Sequence, residues 1–231
     1  MTSYVARRGE IEAYFDRTAA ETWARLTSDA PLGRIRATVR AGRDRMRETL
    51  LGWLPHDLHG MRVLDAGCGT GALAVEAATR GAQVTAIDLS PTLIRLAHER
   101  APRHFEHGGT IEWLVGDLLD APGRFDAVVL MDSLIHYAAP DIVRVLSGLA
   151  ARTDRAVLYT FAPRTASLAA IHTVGRLFPR ADRAPAIEPV AERRIRRLLA
   201  SEPTLQSWQT GRTHRIDSGF YKSQAMELTV A

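Results

Sequence analysis

The chain has 231 residues, of which 46% are hydrophobic and 24% charged, so it can bury the core of one large domain or of one domain with an added cap. No stretch is apolar over the roughly 18 residues that a membrane-spanning helix needs, and the single cysteine, Cys68, excludes an internal disulfide and a cysteine-cluster metal site. The formal net charge is +4, and the arginines are scattered apart from a mild cluster at residues 193–197. We therefore predict no metal site and no nucleic-acid partner. Since no apolar run of signal-peptide length follows the N-terminus, we expect a cytoplasmic protein.

Two helices are predicted in the N-terminal segment, over residues 7–27 and 34–54, because apolar residues recur there at helical spacing. Pro55 closes the second helix. We assign residues 1–57 to an N-terminal helical lid or arm and residues 58–231 to the main domain.

Strands and helices alternate from residue 61 onward. Apolar strands in such an alternation indicate a parallel sheet with helices on both faces. The C-terminal residues 205–230 are predicted to form two antiparallel strands around Gly211-Arg212. A helix at 165–178 belongs to an insert of about residues 163–190, which we expect to cover a substrate pocket at the carboxyl ends of the strands. The predicted strands are residues 61–66, 83–88, 110–116, 125–131 and 155–161, and the predicted helices of this part are 71–80, 90–100, 140–152 and 190–200.

The segment Asp65-Ala66-Gly67-Cys68-Gly69-Thr70-Gly71 follows the first predicted strand. It matches neither the G-x-G-x-x-G loop of dinucleotide enzymes nor the Gly-Lys-Ser/Thr ending of nucleoside triphosphate loops. Gly67 and Gly69 let the backbone approach a ligand closely, where a Cβ would clash. Asp65 adds a carboxylate that suits a cationic ligand and would repel a pyrophosphate. S-adenosylmethionine carries an ammonium and a sulfonium group, so the segment predicts this cofactor.

Two further carboxylates follow the next strands. Asp88 ends the second strand, where an acidic residue can hydrogen-bond both ribose hydroxyls, and Leu89 follows it in the predicted site. Asp117 follows the third strand and can accept from the adenine amino group, while the N–H of Leu118 points at the ring edge. Each aspartate alone is an ordinary turn or cap residue. Three of them at successive strand ends, beside this glycine loop, favour a cofactor site.

This constellation resembles the class I methyltransferase family over about residues 60–161. The resemblance implies a Rossmann-like, seven-stranded, mostly parallel sheet with a reversed final hairpin. It also implies that Met131 lies where the fourth strand offers a backbone carbonyl to the methionine amine. After that strand, nucleic-acid amino methyltransferases usually carry Asn/Asp-Pro-Pro-Tyr/Phe. Residues 132–137 of this chain do not match that motif, which argues against methylation of a nucleic-acid base.

Further segments, scattered from end to end of the chain and mostly outside the cofactor core, carry a narrower resemblance. They are Tyr14-Phe15-Asp16-Arg17-Thr18 with Trp23, Arg40-Ala41-Gly42-Arg43, Asp132-Ser133-Leu134-Ile135-His136-Tyr137, Ala162-Pro163-Arg164-Thr165, Gly175-Arg176-Leu177-Phe178-Pro179 and Gly219-Phe220-Tyr221. With them the whole chain resembles the magnesium-protoporphyrin IX O-methyltransferase family of (bacterio)chlorophyll synthesis. One departure is Thr27, at the position where the family often has a tyrosine.

The narrower resemblance implies methyl transfer to one propionate carboxylate of magnesium protoporphyrin IX, which gives a monomethyl ester. It also implies hand-over of the porphyrin from the H subunit of magnesium chelatase. A hydrophobic pigment pathway and a basic chain are compatible with peripheral contact at the inner, photosynthetic membrane.

His136 is the preferred catalytic candidate, with Tyr137 beside it, because it follows the fourth strand at the expected position of the transferred methyl. His136 could orient the carboxylate, contact the metal or macrocycle, or simply pack against the cofactor. Arg164 could pair with a propionate as a bidentate fork or be a surface arginine. The full set of predicted substrate-binding residues is Tyr14, Ser133, Arg164, Phe178 and Tyr221.

Two other functions fit the same residues. One is an O-methyltransferase for another small acid or phenol, of the quinone-pathway type, where a histidine or tyrosine near the methyl would be equally useful. The other is a non-catalytic S-adenosylmethionine-binding module.

Overall fold

A seven-stranded sheet forms the centre of the computed structural model, which describes residues 4–17, 33–164 and 186–231. The strands are β1 (Arg62–Ala66), β2 (Gln83–Asp88), β3 (Thr110–Val115), β4 (Phe125–Leu130), β5 (Thr153–Phe161), β6 (Trp208–Ser218) and β7 (Tyr221–Val230). The helices are α1 (Tyr4–Arg17), α2 (Arg34–Gly52), α3 (Ala72–Thr79), α4 (Pro91–Arg100), α5 (Ala139–Ala150) and α6 (Glu192–Ser201), with a short 3-10 turn at Pro203–Leu205.

The strand order across the sheet is β3-β2-β1-β4-β5-β7-β6. The first five strands are parallel, and β7 runs antiparallel between β5 and β6. This confirms the predicted parallel sheet with a reversed final hairpin. The order reverses between β1 and β4, so a crevice opens at their carboxyl ends, where open α/β sheets bind ligands.

Each central strand contributes side chains to two cores, because successive residues of a strand point to opposite faces. On one face Leu64 and Val128 pack with α5 and α6, and α1 reaches this core through Ile11. On the other face Val63 and Val129 pack with α2 and α3. The prediction of helices on both faces is therefore confirmed.

The second N-terminal helix, α2, belongs to the covering layer of the sheet. Its residues Met46, Leu50 and Leu51 are fully buried in the second core. The proposed division of the chain at residue 57 stays a prediction, but α2 packs against the sheet and is not a detached arm.

The hairpin turn of β6 and β7 lies at Gly219-Phe220, so the predicted turn at Gly211-Arg212 is wrong. Gly211 and Arg212 lie inside β6, where the register with β7 shifts. Arg212 donates from its backbone N–H (3.0 Å) and its Nε (2.8 Å) to Oε2 of Glu227. A Cβ on Gly211 would lie 2.5 Å from the same oxygen, so this glycine makes room for an ion pair and forms no turn.

Elsewhere the predicted bounds of strands and helices agree with the structure to within about two residues, apart from the starts of α1 at Tyr4 and of β6 at Trp208. The predicted helix at 165–178 and the second half of the predicted helix 7–27 lie outside the described residues. Among the helices of the described ranges, none combines the length and the apolar character needed to cross a bilayer.

Gly109, just before β3, lies against the end of α3, and a Cβ built on it would be 1.9 Å from the carbonyl oxygen of Ala78. The atoms that the added Cβ would meet belong to the backbone of Ala78, which cannot move aside as the tip of a flexible side chain can. We predict that Gly109→Ala lowers the free energy of unfolding by about 1–3 kcal/mol. The matched control is Gly52→Ala in α2, where nothing lies within 4 Å of the added Cβ. Urea unfolding of both variants checks this, and equal stabilities would contradict it.

Candidate active site

The glycine loop after β1 is hydrogen-bonded to the end of β2. The N–H groups of Gly67 and Cys68 donate to the carbonyl oxygen of Ile87 (2.8 and 3.0 Å), and the N–H of Gly69 donates to Oδ2 of Asp88 (2.8 Å). The loop therefore has a fixed position in the crevice between β1 and its neighbours.

The same loop lies against the turn that follows β4. Gly67 has φ 80, in the left-handed region, and a Cβ on it would lie 2.5 Å from Cβ of Ser133. Ser133 in turn donates from Oγ to the carbonyl oxygen of Ala66 at 2.9 Å. Only glycine satisfies both the backbone angle and the close approach.

Asp65 places a buried carboxylate beside this loop. The residue is 1% exposed, and its Oδ2 has no hydrogen-bond partner within the described ranges. Burial raises the pKa of Asp65 to about 7; the N–H of Ala74 and the positive charge of Arg43 lower it, and the negative charge of Asp88 raises it. An unpartnered buried carboxylate oxygen fits an ammonium group, which would supply both a hydrogen bond and a counter-charge. The site therefore suits the amino-acid end of S-adenosylmethionine.

Asp88 has its two carboxylate oxygens oriented by backbone N–H groups. Ser90 donates to Oδ1 (3.0 Å) and Gly69 donates to Oδ2 (2.8 Å). Burial raises the pKa of Asp88, and these N–H groups lower it. Since each carboxylate oxygen can accept a second hydrogen bond, both remain able to accept from ribose hydroxyls.

Asp117 is contacted by the N-terminal helix, which the sequence analysis missed. The hydroxyl of Tyr4 lies 3.0 Å from both carboxylate oxygens, and Nη1 of Arg8 lies 3.1 Å from Oδ2. The N–H of Leu119 donates to Oδ1 at 2.9 Å. Tyr4 and Arg8 stand four residues apart, on one face of a helix, and this spacing is the only sequence signal of the contact. The adenine contact of Asp117 stays a prediction. In the structure, α1 covers the carboxylate of Asp117.

The turn after β4 carries the preferred catalytic candidate. Asp132, at its start, is the one non-glycine residue of the described ranges with a positive φ, at 57, which costs roughly 1–2 kcal/mol. His136 is 6% exposed, and its Nδ1 lies 3.3 Å from the carbonyl oxygen of Ala186, at the end of the insert. Because a carbonyl only accepts, Nδ1 carries the proton of this contact.

Tyr137, the second predicted catalytic residue, is buried in the structure. It is 3% exposed and stacks on Tyr4, with ring centroids 5.1 Å apart and an interplanar angle of 25°. Burial raises its pKa further above neutrality, which excludes a phenolate role. The structure places Tyr137 as a packing contact between the β4 turn and α1.

The predicted substrate residues lie in different environments. Tyr14 is half-buried on α1, and burial raises its pKa. Arg164 is exposed at the end of β5, where its N–H donates to the carbonyl of Val190. Tyr221 is buried, and its hydroxyl donates to Asp132 at 3.0 Å, so it does not present that group to a substrate. Phe178 lies outside the described residues, as do Trp23 and Thr27.

The other predicted cofactor residues follow adjacent strands or the loop, at the carboxyl edge of the sheet. These are Ala66, Gly71, Leu89, Leu118 and Met131.

The raised pKa of Asp65 predicts a pH-dependent affinity for S-adenosylmethionine. Below about pH 7 the carboxyl is protonated and offers the ammonium no counter-charge; raising the pH through that value ionises it. Affinity should therefore increase from about pH 5 to about pH 7.5, with release of a proton on binding within that window.

Calorimetric titration across this range measures the effect. Asp65→Asn is the control, and it should bind at least about tenfold more weakly near pH 7.5 and lose the pH dependence. An unchanged pH profile in Asp65→Asn would assign the titration to another group.

Comparisons with known proteins agree with this geometry. The family described as "Magnesium-protoporphyrin IX methyltransferase C-terminus" matches residues 130–230, and "Methyltransferase domain" matches residues 63–154. A magnesium-protoporphyrin O-methyltransferase of Rhodobacter capsulatus is 47% identical over 98% of both chains. A ubiquinone biosynthesis O-methyltransferase of Xanthomonas euvesicatoria is 37% identical, over 54% of each chain.

A solved structure extends the likeness to three dimensions. The crystal structure of magnesium protoporphyrin IX methyltransferase from Synechocystis, with bound SAH, superposes with a TM-score of 0.83 at 28% identity. The match covers 96% of this chain and 98% of that one. With a relative at 47% identity along nearly its whole length, the chain belongs to the magnesium-protoporphyrin O-methyltransferase family.

Proposed function

We propose that this chain transfers a methyl group from S-adenosylmethionine to a propionate carboxylate of magnesium protoporphyrin IX, giving the monomethyl ester. The observation that carries the proposal is the extent of the 47% identity, which spans 98% of both chains and so includes the acceptor side. The quinone-pathway relative matches only 54% of the chain. A shared cofactor domain accounts for a match of that length without a shared acceptor.

The cofactor supplies an electrophilic methyl group on a sulfonium. Asp65 holds the ammonium of its amino-acid end, because the unpartnered Oδ2 lies buried beside the glycine loop. Asp88 holds the ribose hydroxyls with the lone pairs that its two backbone contacts leave. The carbonyl of Met131, at the end of β4, is a second acceptor for the ammonium.

The acceptor chemistry makes modest acid–base demands. A propionate has a pKa of about 4–5, like that of glutamate, and is ionised at pH 7, so no strong general base is needed. The protein must hold a carboxylate oxygen about 3 Å from the methyl carbon, in line with the bond that breaks. It must also avoid binding the carboxylate too tightly, since the negative charge is lost as the ester forms.

His136 is the residue that we place against the acceptor. Its Nδ1 contacts the carbonyl oxygen of Ala186 at 3.3 Å, which helps to set the orientation of the ring. An imidazole can orient a carboxylate through one hydrogen bond, whereas an arginine would bind it through two charge-assisted ones. The weaker contact fits the requirement that the reacting carboxylate is not bound too tightly. We assign the pairing with the propionate that does not react to Arg164, and its exposure after β5 supports this role.

The proposal includes two finer parts. The porphyrin is received from the H subunit of magnesium chelatase, and the chain contacts the photosynthetic membrane peripherally. The hydrophobic substrate supports both, and the net charge of +4 supports contact with an anionic lipid surface.

A labelled-methyl assay tests the function. The chain is incubated with labelled S-adenosylmethionine and magnesium protoporphyrin IX, and we expect a labelled porphyrin monomethyl ester. Transfer to a quinone-pathway phenol but not to the porphyrin would favour the quinone-type enzyme. Cofactor binding without transfer to either acceptor would favour a binding module.

His136→Ala is predicted to lower turnover at least about 100-fold, because the acceptor oxygen loses its orienting contact. The cofactor dissociation constant should stay within about twofold, because no proposed cofactor contact is removed. His98→Ala, at an exposed position of α4, is the matched control and should keep normal turnover. Normal turnover in His136→Ala would exclude the catalytic assignment.

A further inference from the structure

Asp132 lies at the centre of a buried group of polar side chains that the proposed reaction does not use. Nη1 of Arg43 lies 2.7 Å from Oδ2, the Tyr221 hydroxyl lies 3.0 Å from Oδ1, and Oγ of Ser223 lies 3.1 Å from Oδ1. The backbone N–H of Asp132 donates to Oγ1 of Thr160 at 2.7 Å. We call Asp132, Arg43, Thr160, Tyr221 and Ser223 the Asp132 cluster.

The Asp132 cluster joins parts of the fold that are distant in sequence. Arg43 comes from α2, Thr160 from β5, and Tyr221 and Ser223 from β7. Gly42 precedes Arg43, and a Cβ on it would lie 2.5 Å from Cδ1 of Tyr221. The absence of that Cβ lets α2 come close enough to reach Asp132.

The cluster surrounds a strained backbone position. Asp132 has φ 57, a left-handed conformation that a non-glycine residue keeps only where its surroundings hold it. Aspartate tolerates this region better than most residues because its short polar side chain can bond locally. Here Arg43, Tyr221 and Ser223 donate to its carboxylate. The hydroxyl of Thr160 accepts from its N–H and also donates to Oδ1 at 3.3 Å.

Asp132 also stands between two groups at the cofactor end of β4. Met131, before it, carries the carbonyl that we place against the ammonium. Ser133, after it, donates to the carbonyl of Ala66 beside the glycine loop. The positive charge of Arg43 offsets the negative charge of Asp132. The cluster therefore acts on Met131 and Ser133 through the conformation of the backbone and not through an uncompensated charge.

We propose that Asp132 is a positioning residue for the amino-acid end of the cofactor. The Asp132 cluster holds the turn after β4 so that the Met131 carbonyl and the Ser133 contact face the glycine loop. Asp132 itself does not touch the cofactor. The inference rests on the cofactor part of the proposed function and not on the identity of the acceptor.

Two ligands separate positioning from general stability. S-adenosylhomocysteine has the amino-acid end, whereas 5′-methylthioadenosine keeps the adenosine and lacks that end. In calorimetric titration, Asp132→Ala should weaken S-adenosylhomocysteine at least about tenfold and leave 5′-methylthioadenosine within about twofold. Equal weakening of both ligands, or of neither, would overturn the proposal.

Glu227→Ala is the matched control. Glu227 lies on β7, the strand that carries Tyr221 and Ser223. Its side chain is 7% exposed like that of Asp132, and like Asp132 it pairs with an arginine, Arg212, at 2.5 Å. Its ion pair lies between β6 and β7, at the sheet edge. Glu227→Ala should bind both ligands normally, and loss of S-adenosylhomocysteine affinity there would count against a specific role for Asp132.

Milder variants keep the test decisive if Asp132→Ala does not fold. Asp132→Asn keeps an acceptor oxygen and the tolerance for positive φ, so it should fall between wild type and alanine for S-adenosylhomocysteine. Tyr221→Phe removes one donor to Asp132 and should also weaken only that ligand. Its control is Tyr159→Phe, which removes a buried hydroxyl 2.9 Å from Sδ of Met226. Wild-type affinity for S-adenosylhomocysteine in both Asp132→Asn and Tyr221→Phe would contradict the proposal.

The binding test is independent of the acceptor. If wild type fails to methylate the porphyrin but Asp132→Ala shows the selective loss, the proposed acceptor is wrong and the positioning role stands. If wild type methylates the porphyrin and the selective loss is absent, only the positioning role fails.

Discussion

The close approach between the glycine loop and the turn after β4 is the constraint on which the rest of the site depends. The two segments lie on adjacent strands at the reversal point of the sheet, and they touch where Gly67 has no side chain and Ser133 does. A larger residue at position 67 would separate them. Their contact brings the end of β1, which carries Asp65, against the turn after β4, which carries Ser133.

Three carboxylates at the carboxyl edge of the sheet differ in how they are neutralised, and the difference indicates different roles. Asp65 has a buried oxygen without a partner in the described part of the chain, which suits a cationic ligand. Asp132 is paired with Arg43 and bonded to Tyr221 and Ser223, which suits a structural anchor. Asp117 is contacted by Tyr4 and Arg8 of α1, so its carboxylate links the N-terminal helix to the end of β3.

Much of the fold follows from local pattern. Apolar strands alternating with helices predict the parallel sheet, since strands buried on both faces must be apolar throughout. The turn of the last hairpin could not be read in this way. Gly211-Arg212 has the composition of a turn, but the glycine makes room for an ion pair with Glu227, a partner 15 residues away in sequence. The sequence predicts Tyr137 as a catalytic residue beside His136, and the family resemblance puts Tyr221 at the substrate. In the structure both are buried and contact residues far away in the chain.

The sequence by itself determined the methyl donor and the family, because the glycine loop and the acidic strand ends are short segments whose chemistry depends on neighbouring residues. Only the tertiary structure decided which of those carboxylates remains available to a ligand. In the sequence, Asp65, Asp117 and Asp132 are all aspartates at or just after the end of a strand. Asp117 finds its partners on α1, and Asp132 finds its partners on α2 and β7, whereas Oδ2 of Asp65 is buried without one in the described part of the chain. Which carboxylate is paired depends on elements that only folding brings together.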